Sequence, residues 1–192
     1  MSRRAAGALL ALAVLVLAFA VWRLFAPGDG DDPPARVGPA SGPATEPAAT
    51  VRRSVTLWLP GRLGRIEPLR VEIDSGDSLG ERLDALLGAL VAARPAGDLA
   101  PLFPEPVTVA AAIVGPDRVL YVDLRGAEGG EPPGAGSTLE QQRVFAVVHT
   151  VLRNEPEIAA VVLLWNGVQR PSLSGHVDTT RPLGLRPQLE LE

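Results

Sequence analysis

Two histidines, at positions 149 and 176, are the only side chains in this sequence whose ordinary pKa lies near neutrality. His176 stands in Gly175-His176-Val177-Asp178, a His-x-Asp arrangement that could orient an imidazole or contribute to a metal site. A metal centre needs three or four converging ligands, and no third ligand is spaced convincingly, so neither a metal nor another cofactor is expected. Ser172 and Ser174 lie near His176, but no Gly-x-Ser-x-Gly supplies the strained turn of a hydrolase nucleophile. The first expectation for His176 and Asp178 is therefore loop pinning. Ligand binding and a hydrolase using His176 with Asp178 are the alternatives. His149 falls at the edge of a helical apolar stripe, where packing or solvent contact is commoner than catalysis.

Composition closes further routes. There is no cysteine, and all 18 basic residues are arginine. Without cysteine there are no disulfides, thiolate metal sites or thiol nucleophiles. Without lysine there is no Walker-type phosphate loop and no Schiff base. Gly129-Gly130 and Gly134-x-Gly136 precede a helix start, as in an anion cradle, but Glu128 and Glu131 would repel phosphate. The net charge of −4 argues against a nucleic-acid partner. Glu155 and Glu157 flank Pro156, which reads as an exposed turn.

The elements that position these residues are legible from residue 53 onward. Ser54–Leu59 and Leu69–Ile73 alternate apolar and polar residues, the mark of half-buried strands. Ser78-x-x-Glu81 predicts a capping box opening a helix with Leu83, Leu86, Leu87 and Leu90 on its apolar face. Val107–Val114 reads as a central strand, and Gly115-Pro116-Asp117 turns it into Arg118–Leu124. Ser137-x-x-Glu140 predicts a second capping box and helix, ended by Asn154 and Pro156. Ile158–Trp165 reads as a strand, and Asn166-Gly167 as a hairpin turn into Val168–Leu173. The expected fold class is α+β: a two-layer sandwich of one mixed sheet with two helices on one face.

Ahead of this domain, Arg3 and Arg4 precede a charge-free run from Ala5 to Trp22. Extended to Phe25, the run matches the ~30 Å hydrocarbon core of a bilayer. Residues 1–25 are expected to form a transmembrane anchor contacting lipid through residues 5–25, with the N-terminus cytoplasmic. Cleavage after Ala20 is the alternative, since Ala18-Phe19-Ala20 has small-x-small form. Residues 26–52, with six prolines, read as a spacer, residues 53–186 as the domain, and residues 187–192 as a tail or short edge strand.

The order of motifs from Val55 to Leu183 resembles the GerMN domain family. Val55-Thr56-Leu57-Trp58-Leu59-Pro60 resembles its first strand, and Leu69-Arg70-Val71 its arginine-bearing second strand. Leu102-Phe103-Pro104, Tyr121-Val122-Asp123-Leu124 and Thr150-Val151-Leu152 resemble later segments in order. Asn166-Gly167 stands where the family has Asp-Gly, and Gly175-His176-Val177-Asp178 resembles its closing Gly-His-Ile-Asp. The family-motif candidates are thus Arg70, Asp123, Gly167, Gly175, His176 and Asp178. Arg94 and Arg125 depart from the pattern, and there is no lipid-accepting cysteine.

The resemblance implies a non-enzymatic module of the bacterial envelope, sporulation-related in relatives, whose domains are similar to ring-building motifs of secretion systems. The expected protein is single-pass in the inner membrane and displays this domain outside the cytoplasm. Its expected partners are unidentified envelope proteins or further copies of itself. The alternative is an envelope-glycan or peptidoglycan-binding module, with Trp58, Trp165 and Arg70 supplying stacking and hydrogen bonds.

Overall fold

Alternation along the chain dictates a long hairpin at the start of the region that the computed structural model describes, residues 51–191. Strand β1 (Val51–Pro60) pairs antiparallel with β2 (Ile66–Ser75), from Val51↔Ser75 to Pro60↔Ile66. Val55, Leu57 and Leu59 are buried, while Leu69, Val71 and Ile73 pack against the core from half-buried positions. The ladder outruns the apolar pattern because cross-strand pairs such as Arg52 and Asp74, 3.3 Å apart, continue it with polar residues. Val51 and Arg52, read from sequence as spacer, stand in β1.

Helix α1 (Leu79–Ala92) begins at the predicted capping box. The Ser78 hydroxyl accepts from the Glu81 amide, and the Glu81 carboxylate accepts from the Ser78 amide. Strand β3 (Val107–Val114) pairs antiparallel with β4 (Val119–Gly126), with an irregularity between Val109 and Ala111. Helix α2 (Ser137–Asn154) crosses over to β5 (Ala160–Trp165), which pairs parallel with β4. β3 is an edge strand and not the expected central one; β4 takes the centre. The three alanines of β3 are apolar by type but leave that strand largely half-buried or exposed.

The α+β class holds, but the single mixed sheet does not: β1–β2 and β3–β4–β5 are separate sheets. The reason lies on the outer edge of β1. The Thr56 amide donates to Asn154 Oδ1 at 3.0 Å, and Asn154 Nδ2 donates to the Thr56 carbonyl at 2.8 Å. The Trp58 amide donates to Thr150 Oγ1 at 2.9 Å. Thr150 and Asn154 are four residues apart and share one face of α2, matching the two-residue repeat of the strand. The helix thereby satisfies an edge that another strand would otherwise need to cover.

The core gathers Leu57, Leu86, Leu90, Leu120, Phe145 and Leu163 from both sheets and both helices. After β5, Asn166 and Gly167 make the expected two-residue turn with φ of 53° and 78°. Val168 forms only a single bridge to Trp165, so Val168–Leu173 is not the expected strand. The segment beyond folds back, with Leu183 bridging Val161 and Glu190 bridging Ile66. Pro187–Leu189 form a short 3-10 turn that buries Leu189. The predicted anchor and residues 26–50 of the spacer lie outside the described residues. Among the described residues, no helix is long and apolar enough to cross a membrane.

Candidate functional site

Glu140 organises the region around His176. It sits in the first turn of α2 and is 1% exposed. It does not close the capping box predicted with Ser137: the N-cap is Gly136, which has no side-chain cap. Its carboxylate turns instead to the segment after β5. Oε1 accepts from the Ser172 hydroxyl at 2.6 Å and the Ser174 amide at 2.7 Å. Oε2 accepts from the His176 amide at 2.7 Å and lies 3.1 Å from His176 Nδ1. Burial pushes the Glu140 carboxyl up, but the donors from Ser172, Ser174 and His176 outweigh it and hold the pKa below the ordinary value. The same residue types that suggested a hydrolase are thus spent on one buried carboxylate. Ser172 also accepts from the Gly175 amide, closing the turn on itself.

Asp178 takes no part in this cluster. Its Oδ1 accepts from the Thr180 amide at 2.9 Å and the Thr180 hydroxyl at 2.6 Å, and Arg181 lies 3.3 Å from Oδ2. The Thr180 contacts, helped by Arg181, hold its carboxyl below the ordinary range. The His-x-Asp dyad is therefore not assembled. Loop pinning describes His176 well, but through Glu140 and not through Asp178.

A second group of motif residues meets at the end of β4. The Gly167 amide donates to Asp123 Oδ1 at 2.7 Å. Asn166 Nδ2 donates to the Gly129 and Gly130 carbonyls, and Trp165 Nε1 donates to Gly130 at 2.7 Å. A Cβ on Gly126 would meet the Trp165 ring at 2.9 Å, so the glycine there allows close passage of the strand. Asp123 and Gly167 thus fix one turn against its neighbouring strand. Arg70 stands apart from both groups, exposed on β2 opposite Thr56.

His149 is fully buried and contacts no solvent. Its Nε2 accepts from the Arg186 amide at 2.9 Å, which leaves the proton on Nδ1, 2.8 Å from Glu190 Oε1. That second approach is close but not aligned as a hydrogen bond. Burial lowers the His149 pKa against the opposing pull of Glu190, so the ring is neutral. Arg153 also holds Glu190, at 2.6 Å, and the Leu191 amide donates to the Ile66 carbonyl at 2.9 Å. His149, Arg153 and Ile66 together dock the C-terminal segment.

Between the His176 loop and this docked segment lies a cleft of about 440 Å³. Phe145 and Val177, both buried, line it with the exposed Arg181 and Arg186. The Arg186 guanidinium stacks on the Phe145 ring, 4.5 Å from its centroid.

Three engaged side chains escape sequence reasoning. Glu155, read as a solvated turn residue, is 1% exposed and paired with Arg53 and Arg82. Arg143 is buried over the Phe103 ring and donates to the Pro133 carbonyl at 3.2 Å; burial pushes its pKa down. Gln142 donates to the Gly61 carbonyl at 2.9 Å, closing the β1–β2 loop. Gln142 and Arg143 stand within the amphipathic run of α2, the one hint of their burial, whereas Glu155 lies just past its end. The tryptophans proposed for glycan stacking are buried, Trp58 at 7% and Trp165 at 1%, which removes that platform.

The family model described as Germane, sporulation and spore germination, matches residues 56–170. The match runs from β1 past the Asn166-Gly167 turn and stops before His176. Among solved structures, the chain is similar to a candidate lipoprotein from Clostridium perfringens: 20% identity, TM-score 0.50, 74% of this chain and 93% of that one. It is also similar to the tandem GerMN domains of the sporulation protein GerM from Bacillus subtilis, with 20% identity and TM-score 0.51 over 71% of this chain. That alignment spans about half of the tandem structure, 46%. The first GerMN domain alone aligns at 16% identity and TM-score 0.51, over 70% of this chain and 98% of that one. At these identities the likeness is one of fold. No curated protein matches the chain in sequence.

Proposed function

We propose, on the premise that this chain belongs to the Germane family of sporulation and spore germination proteins, that it is a non-enzymatic display module of the bacterial envelope. Its domain engages other proteins outside the cytoplasm, in an envelope or secretion-type assembly. The observation that carries this reading is how the reactive side chains are used. His149 is buried and neutral, His176 and Ser172 both serve Glu140, and Asp178 is taken up by Thr180. An acyl-transfer site needs a nucleophile hydrogen-bonded to its base, and these contacts assign both groups elsewhere.

Residues 5–25 anchor the module in the inner membrane, and the proline-rich spacer carries it away from the surface. A structural neighbour described as a candidate lipoprotein agrees with display at a membrane. Photo-crosslinking in native envelopes tests the reading, with reactive residues placed at exposed positions such as Arg70 and Ile113. Discrete adducts with another envelope protein, or with a second copy, are expected. Recovery of the monomer alone at every position would overturn it.

A further inference from the structure

Of the cavities in the described region, the cleft between the His176 loop and the C-terminal segment has the chemistry of a ligand site. Two others flank α1. One lies along β2 with Leu57, Leu69 and Ile73, the other along β3 with Val91 and Val107, and they are mostly apolar. The cleft differs in three respects. Its floor is apolar and fixed, formed by Phe145 and Val177. Its walls are held from behind, one by Glu140 and the other by the Arg186 amide on His149 and by the Leu183–Val161 bridge. Two guanidiniums, those of Arg181 and Arg186, stand over an apolar floor within a domain that is acidic overall. Residues 53–192 carry 13 arginines against 18 acidic residues.

The charges select the ligand. Arg186 rests on the Phe145 face, 4.5 Å from the ring centroid. A stacked guanidinium keeps its in-plane donors available for a planar acceptor. Arg181 is 82% exposed and touches Asp178, whose Oδ1 is already engaged by Thr180. Two guanidiniums against the one carboxylate of Asp178 favour a small anionic ligand. Pro182, Leu183 and Leu185 add apolar wall beside the arginines. A volume of about 440 Å³ falls in the range of small-ligand pockets.

We propose that this cleft binds the C-terminal end of a polypeptide, its α-carboxylate held by Arg186 and Arg181 and its apolar last side chain lying against Pro182, Leu183 and Leu185. An α-carboxylate lies one carbon from its side chain, the spacing that lets the guanidiniums and the apolar wall beside them act on one residue together. Planar fork-to-carboxylate pairing supplies the recognition. The inference rests on the interaction reading above, because it makes the partner a polypeptide, and it names the part that is gripped.

The test uses the full-length chain and two probes, N-acetyl-alanyl-leucine with a free carboxylate and its C-terminal amide. Calorimetric titration should give binding of the acid at least about tenfold tighter than of the amide, a difference of about 1.4 kcal/mol. Methyl signals of Val177 and Leu185 should move with the acid. R186Q and R181Q should each weaken the acid at least about tenfold, and R181Q should keep the wild-type thermal midpoint. R181Q guards against a folding artefact, since that side chain is exposed. Equal binding of acid and amide, undiminished binding by both variants, or displacement of the acid by inorganic phosphate would each overturn the assignment. Crosslinks retained in R186Q with peptide binding lost would refute the cleft as the partner's docking point. Peptide binding without any envelope crosslink would instead refute the interaction reading.

Discussion

Glu140 lies in the first turn of α2 and Glu155 immediately follows its last residue; both are 1% exposed. Glu140 is satisfied by a hydroxyl, two amides and an imidazole, all from residues 172–176. Glu155 is satisfied by two guanidiniums, Arg53 from β1 and Arg82 from α1. The helix explains the contrast. Its N-terminal amides favour negative charge, so few formal charges are needed there, whereas its C-terminal carbonyls disfavour an anion and demand cations. The partners also differ in reach. Glu140 fixes one loop, while Glu155 ties the hairpin, α1 and α2 together. One buried carboxylate shapes the candidate site and the other holds the domain.

Breaking the second should therefore damage more than breaking the first. Glu155→Gln leaves Arg53 and Arg82 facing a neutral group and should cost about 3 kcal/mol, read as a lower urea midpoint with loss of protection throughout. An effect confined to residues 153–158 would undo the contrast. Glu140→Gln should cost about 2 kcal/mol, since amide and hydroxyl donors keep partial acceptors. Hydrogen exchange should quicken first at the Ser174 and His176 amides.

Acid sharpens the difference. The folded pKa of Glu140 is lowered, so its stabilisation is present above the unfolded-state glutamate pKa and lost as pH falls through the folded value. Glu140→Gln should flatten that acid limb, measured by midpoints across the carboxylate range. His149, also lowered in the fold, adds a limb at higher pH, starting as pH falls below the unfolded histidine value. His176→Ala keeps the backbone amide on Glu140 and removes only the ring contact at 3.1 Å. It should cost about 1 kcal/mol by chemical denaturation. Glu157→Ala gives the smallest effect, within about 0.5 kcal/mol in the same assay, because that carboxylate is 61% exposed on Arg82.

The two glutamates also mark where reading the sequence succeeds and where it stops. Ser78-x-x-Glu81 forms its capping box because nothing from elsewhere in the fold competes for Glu81. Ser137-x-x-Glu140 has the same spacing and fails, since four donors more than 30 residues away take the carboxylate. Local patterns found the five strands, both helices and the Asn166-Gly167 turn, all of which depend on neighbours in sequence. They missed the split into two sheets, which depends on Thr150 and Asn154 reaching β1 across more than 90 residues. Of the candidate residues, Gly175 and His176 join one cluster and Asp123 and Gly167 another. Arg70 joins neither, and Asp178 lines the cleft without bonding to His176.

The side chains of α2 that seal β1 bear on the order in which the protein is made. Synthesis delivers Thr56 and Trp58 first, and Asn154 follows 98 residues after Thr56. Until then the outer edge of β1 offers open amides to any passing strand. A nascent or truncated chain is therefore exposed to aggregation and proteolysis at its first strand. Maturation ends that exposure when the second helix docks.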